Sequence, residues 1–371
     1  MGKFFRQLRR HCGTYALICV GIFLLAAILL TAALCSTAFA DFYTQHISSR
    51  INAILALCNA PFPCSLAECL LLCADVILFV LICAAVCATR RGRLCAQRFL
   101  CGILATCLLL LSAFVLCYGI AYHCSPLADK LNLCQQPVSA AQLSACATWL
   151  AEKTNAAAAQ LTYDTNGFSV MPYRLETLNV KLREAFGRAS TQYPFLPVFF
   201  SNAKPVILSE PWTYTHTAGI FTFFTGETNL NVNLPDYTIP FTAAHEFSHQ
   251  RGIAPENEAN FMAFLVLSQA QDPYLQYSAY LNAFSYFSTP LYQADPDMYQ
   301  TVLSTLLPAV RNELHAYNHF FEKYSNSTAA RVSDAVNSAY LQSQGQTQGT
   351  RSYGLVVDLL VAYYQALSYL Q

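Results

Sequence analysis

The sequence predicts an α+β, mostly helical fold: three N-terminal transmembrane helices followed by one outer domain of a few strands and many helices. Three observations carry this. Of 371 residues, 55% are hydrophobic and only 11% charged, whereas soluble domains carry roughly 25% charged residues. The apolar mass is concentrated in three runs at the front of the chain. Behind them, a few β-rich stretches precede a long series of helical patterns, an order typical of α+β domains. A formal net charge of zero argues against nucleic acid, because no basic surplus meets phosphates.

About twenty apolar residues cross a bilayer, so the runs predict spans at about 14–35, 66–88 and 99–122. They divide the chain into a membrane domain, 1–122, and an extracytoplasmic domain, 123–371. The first run is longer than a signal-peptide core, which favours a retained anchor although Ala38-Phe-Ala40 resembles a cleavage site. Lys3, Arg6, Arg9 and Arg10 precede the first span, and Arg90, Arg91, Arg93 and Arg98 fill the loop between the second and third. The intervening loop, about 36–65, holds Arg50 alone. Positive charge stays inside, so the N-terminus is cytoplasmic and everything after Tyr122 is outside. Asp75, within the second span, either marks a functional intramembrane carboxylate or steadies the bundle. All 16 cysteines lie between Cys12 and Cys146. Most sit inside spans, where they act as small apolar residues. Cys58, Cys64, Cys124, Cys134 and Cys146 fall outside, where disulfides can form.

In the outer domain, Ser139 to Leu161 and Arg174 to Tyr193 read as helices. Pro205 to Ser209 and Gly219 to Phe224 are β-rich and read as strands, with extended chain continuing from Gly226 to Asn233. Later helices are expected near 272–290, 297–324, 328–342 and 353–370. The last is apolar enough to tempt a fourth span, but Asp358 and the polar loop before it favour a packed amphipathic helix.

The chemistry concentrates in His245-Glu-Phe-Ser-His249, an HExxH sequence. Two histidines four residues apart on a helix share a face and can grip one zinc ion, with Glu246 placed to take a proton from a bound water. Thr238 to Ala244 is small and apolar, consistent with a buried helix, and Gly252 offers a place for that helix to turn. Catalytic zinc takes three protein ligands and leaves one position for water. The third ligand is Glu256, with Glu258 as an alternative. Glu256-Asn-Glu-Ala-Asn260 resembles the second-helix pattern of the glutamate zincins and, more closely, the E-x-x-A-N-x-F-A style of bacterial repressor-cleaving metallopeptidases. That resemblance implies Glu256 as ligand, Asn260 as the partner orienting a ligand histidine, and a zincin-like α+β domain.

Nearly the whole chain is similar to a bacterial membrane family known as domain of unknown function 3810. The similarity runs through Pro205 to Ser209, Gly219-Ile220, Thr225 to Asn231, Pro240 to Ala254, Glu256 to Phe261, Tyr277 to Leu281 and Ser352 to Leu360. It implies a zincin-type outer domain in the bacterial plasma membrane and supplies no substrate. The resulting expectation is a zinc metallopeptidase that hydrolyses an outer-face protein or peptide, Zn2+ held by His245, His249 and Glu256, and Glu246 as base. Tyr277, Arg251 and His216 are the candidates for stabilising the oxyanion. Phe221 to Asn233 is a candidate edge for an extended peptide, and Glu227 a candidate for orienting it. The competing functions are a membrane sensor and a catalytically silent scaffold. His315 and His319 repeat the four-residue spacing but lack an accompanying glutamate, and read as a helix surface.

Overall fold

In the computed structural model, which describes residues 2–325, 327–348 and 355–368, helix α1 (Gly2–Cys35) is kinked at Gly13, where φ is 85°. Ser36 then turns the chain and caps α2 (Thr37–Tyr43), its hydroxyl accepting the Phe39 N–H at 3.2 Å. A π-helical turn (Thr44–Ser48) runs into α3 (Ser49–Asn59), with Tyr43, Thr44, Ser48 and Ser49 all in right-handed helical conformation. The expected loop at 36–65 is thus mostly one continuous helix. Its inward face is polar, carrying Thr44, Ser48, Ser49, Asn52 and Asn59, so an apolar inward stripe does not announce it.

Helices α4 (Leu66–Leu72) and α5 (Ala74–Arg90) meet at a 59° bend. The expected second span is therefore broken at Cys73. Asp75 lies in the first turn of α5, where the helix dipole favours a carboxylate. Helix α6 (Arg93–Cys117) stops five residues before the expected 122, and a 3₁₀ turn (Gly119–His123) follows. Tyr118, with φ −145° and ψ −44°, breaks the helix. Among the described residues, two helical stretches, Arg9–Cys35 and Arg93–Cys117, are long and apolar enough to cross a membrane, and there are three if the bent pair is one span.

Beyond the turn come α7 (Leu127–Lys130), α8 (Ala140–Ala158), α9 (Leu175–Gln192), β1 (Ala203–Pro205), α10 (Ser209–Tyr214), β2 (Gly219–Thr222) and β3 (Glu227–Leu230). Next are α11 (Thr238–Gln250), α12 (Glu256–Ser268), α13 (Pro273–Ala294), α14 (Pro296–Thr305), α15 (Pro308–Glu322), α16 (Thr328–Ser343) and α17 (Val356–Ser368). The strand expected at 205–209 ends at Pro205, and Ser209 instead opens α10. The helix expected at 297–324 is two helices, because Pro308 starts a new one. Of the last expected helix, 353, 354, 369 and 370 lie outside the described residues, as do 352–354 of the family similarity.

The sheet runs β1-β3-β2, with β3 parallel to β1 and antiparallel to β2. Leu150, Leu182, Phe247, Phe264, Leu281 and Leu360 join α8, α9, α11, α12, α13 and α17 in one core. Full burial of such side chains contributes about 1.5–3 kcal/mol each. Helix α17 buries Val356, Leu359, Leu360 and Val361 in it, so it is packed as expected.

Two carboxylates fasten the segment after α3 to the sheet. Glu227, in the central strand, accepts the Leu66 and Ala67 N–H groups at 2.9 and 3.0 Å and pairs with Lys204 at 2.7 Å. Glu68 of α4 reciprocates by accepting the Ile207 and Leu208 N–H groups, each at 2.7 Å. Glu227, a candidate for orienting a substrate, is 1% exposed and serves as this clasp instead. Contacts of this kind cross the expected boundary between residues 122 and 123.

Candidate metal centre

Helix α11 is buried along its whole length from Thr238, save for a half-buried Thr242, because it lies between the sheet and the helical core. Its end is a double hydrogen-bonded turn. The Gly252 N–H reaches His249 O at 2.9 Å and the Ile253 N–H reaches Ser248 O at 3.1 Å, with Gly252 at φ 86°. A side chain at Gly252 would also strike Thr44, because its Cβ would stand 2.3 Å from Thr44 Cγ2. This turn swings Ile253 O back to accept the His249 Nδ1–H at 2.8 Å. Tyr118 Oη lies 2.9 Å from the same nitrogen, and its own proton points to Ala254 O at 3.4 Å. With a proton held at Nδ1, Nε2 is the nitrogen left to bind a metal once its own proton is displaced.

That nitrogen faces Glu256, the first residue of α12. Glu256 Oε2 is 3.1 Å from His245 Nε2 and 3.4 Å from His249 Nε2. The three ligand atoms all lie within 4.8 Å of one another, and all three residues are buried. Ligands about 2.0–2.1 Å from a tetrahedral zinc stand roughly 3.3 Å apart, so the spacing suits such an ion. Glu256 Oε2 has no hydrogen-bond partner although it is buried. Two imidazoles and a carboxylate form a donor set that catalytic zinc uses. Glu258 turns away and accepts the Leu127 N–H at 2.9 Å. Burial pushes its carboxyl up to about 7.

Edge strand β2 passes directly over Glu246. A Cβ at Gly219 would stand 2.8 Å from both Glu246 Cγ and Oε1, and 2.9 Å from Thr242 Cγ2. Only glycine permits that approach. Burial raises the Glu246 carboxyl above its ordinary value, partly opposed by the two imidazoles and the Phe221 N–H.

A scan against known families matches residues 43–361 to the family described as "Protein of unknown function (DUF3810)". The chain belongs to the DUF3810 family. No curated protein and no solved structure matches it.

In this DUF3810 protein, burial alone would lower His249, yet the Glu256 charge and contact overcome it and bring the imidazole up to about 9. Burial opposes ionisation of Glu256, but the two imidazoles outweigh it and hold the carboxyl well below the usual range. Around this pair stands a ring of tyrosines. Tyr122 and Tyr340 share a hydrogen bond at 3.2 Å between their hydroxyls. Burial, with the nearby Glu256 charge, pushes Tyr340 up to about 12 and Tyr122 further, so both stay neutral donors.

The candidate oxyanion residues named from sequence lie elsewhere. Tyr277 is buried against Glu313 and Tyr163. Arg251 stacks on Phe186, Phe199 and Phe247. His216 contacts Tyr324 O at 3.3 Å. No hydrogen bond joins Asn260 to a ligand histidine among the described residues: Asn260 Nδ2 and His245 Nδ1 are both buried without partners. His249 is oriented by Ile253 O and Tyr118 instead. Tyr118 and Tyr122 were expected inside the third span, where nothing distinguished them from interfacial aromatics. His319 is exposed and contacts Glu322 at 2.9 Å, as a surface helix residue does.

Proposed function

We propose that this protein is a membrane-anchored, zinc-dependent peptidase whose zincin-like site works on the extracytoplasmic side. The observation that carries the reading is the convergence of His245, His249 and Glu256 on one point, with Glu246 beside it. Bound at these residues, zinc would polarise a scissile carbonyl and acidify its bound water. Glu246, next to the candidate ligands, would take that water's proton and pass it to the leaving amine. Tyr122 and Tyr340 are neutral hydroxyl donors suited to the developing oxyanion. Strand β2 is the sheet edge, so its free side can pair with an extended peptide over Glu246. The basic clusters at 3–10 and 90–98 support the outward orientation.

The test uses the full-length protein in lipid nanodiscs. Wild type should carry stoichiometric zinc and cleave a randomised peptide library. Glu246→Gln should keep the metal and lose at least about 100-fold in turnover. Glu256→Ala should lose the metal while Glu258→Ala keeps it. Zinc-free wild type, or undiminished activity in Glu246→Gln, refutes the proposal.

A further inference from the structure

The helix from Thr37 to Asn59 has a second face that the metal centre does not use. Phe42, Ile47, Ile54 and Leu57 are 57, 41, 63 and 64% exposed, and Phe62 just beyond is 47% exposed. With exposed His46 and Arg50 they recur at helical steps, opposite the buried Ser48, Ser49, Asn52, Ala56 and Asn59. From Phe42 to Ser65 there is no Asp or Glu, and Arg50 is the sole Lys or Arg. A soluble surface seldom leaves such a stripe bare, whereas a helix lying in a lipid headgroup layer has this composition.

Chain continuity sets its direction. The helix begins two residues after the apolar stretch Arg9–Cys35 and ends seven before the apolar pair that starts at Leu66. At about 1.5 Å per residue its 23 residues (Thr37–Asn59) extend about 35 Å. Six residues, 60–65, then return the chain to Leu66, and at roughly 3.5 Å each they reach only about 20 Å. Bracketed by the two apolar segments, the helix is set near the surface they enter.

The inward face of this helix supports the metal centre directly. Asn52 Nδ2 donates to Cys117 O at 3.2 Å and to Gln250 O at 3.1 Å. Gln250 follows His249, and Tyr118, which follows Cys117, touches His249. The centre thus stands about one helix diameter, ~10 Å, from the lipid-facing stripe. We infer that the Thr37–Asn59 helix rests in the headgroup layer of the bilayer and holds the site at a fixed height, making its substrate the juxtamembrane stretch of a membrane-anchored polypeptide. At ~3.3 Å per extended residue, the scissile bond lies some three to five residues from the bilayer. The substrate assignment rests on the peptidase reading; the placement of the helix does not.

Two measurements on the full-length protein in nanodiscs separate these. Ile54→Trp and Leu57→Trp, each on the exposed stripe, are read against wild type, whose Trp149 and Trp212 set the background, with lipids brominated high on the acyl chain. Added quenching in both variants is expected; none in either overturns the placement. The randomised peptide library is then presented free, on an acyl anchor, and on the same anchor behind a ten-residue Gly-Ser spacer. The directly anchored library should be cut at least tenfold faster than the spaced one, close to the anchor. Equal rates for the free or spaced library overturn the substrate assignment while the peptidase reading stands. No cleavage in any presentation, with quenching intact, overturns the peptidase reading and the substrate assignment together.

Discussion

Replacing Glu227 by glutamine tests the clasp between the sheet and the Leu66–Glu68 segment. Glu227 Oε1 is 2.7 Å from Lys204 Nζ, and the side chains are 0% and 4% exposed. Lys204 has two further acceptors, Asn59 O at 2.9 Å and Cys64 O at 3.3 Å, both uncharged carbonyls. The amide keeps the shape and one acceptor for the Leu66 or Ala67 N–H, but leaves the buried ammonium without a counter-charge. Breaking a buried pair from one side costs about 3–5 kcal/mol. At roughly 2–4 °C per kcal/mol for a domain of this size, the unfolding midpoint should fall by about 6–20 °C. The assay is thermal unfolding of the nanodisc-embedded protein followed by intrinsic fluorescence, with Lys204→Met and the double variant completing the cycle. Because the double variant removes both charges, its cost should fall short of the sum of the singles by about 2 kcal/mol or more. A Glu227→Gln protein melting within about 2 °C of wild type, or an additive cycle, would refute this account.

On the proposed peptidase reading, Gly219→Ala should lower turnover at least about tenfold with metal content unchanged, since its Cβ would intrude on Glu246 and not on His245, His249 or Glu256; turnover beside metal analysis checks this. Tyr118→Phe removes the hydroxyl 2.9 Å from His249 Nδ1 while Ile253 O remains. Zinc affinity by chelator competition should then drop about tenfold. Burial raises Glu313 above its ordinary 4.5 in spite of hydrogen bonds from Tyr277 and Ser169. The native chain therefore keeps a proton that the unfolded chain has released, and this stability, complete below 4.5, is lost as pH rises through the folded value. Glu313→Gln should flatten that decline in unfolding midpoint as pH rises past 4.5.

The spacing of His245 and His249 was legible because a four-residue helical step is a local property. Glu256 was legible as one of two candidates, since a short turn and a new helix start leave few positions for a carboxylate. What decides between Glu256 and Glu258 is rotation about α12: the first residue faces α11, and two residues on the chain faces Leu127. The tyrosines were not legible. Tyr118 and Tyr122 close an apolar run and Tyr340 sits in an ordinary helix, so only the tertiary fold assembles them. The clasp role of Glu227 was not legible because its partners, Lys204, Leu66 and Ala67, are distant along the chain. The helix at 37–59 was missed because its inward face is polar and its apolar face points out, the inverse of a soluble amphipathic helix.

That inversion bears on how the membrane segments relate to the chemistry. A catalytic domain on a flexible tether samples many heights above a bilayer, and its anchor can be exchanged without touching the site. Here no tether intervenes. Tyr118 follows the last residue of α6 and meets His249, while Asn52 joins the carbonyls of Cys117 and Gln250. Gly252, which completes the turn that orients His249, has room for no side chain because Thr44 fills the space. The His249 ring is therefore held from one side by the core through α11, and from the other by residues that belong to the membrane-proximal segments. A shift of α6 relative to α2 and α3 must move Tyr118 against His249 or break the Asn52 bridge. The segments adjoining the apolar helices are part of what orients His249, and the helical core alone leaves that orientation incomplete.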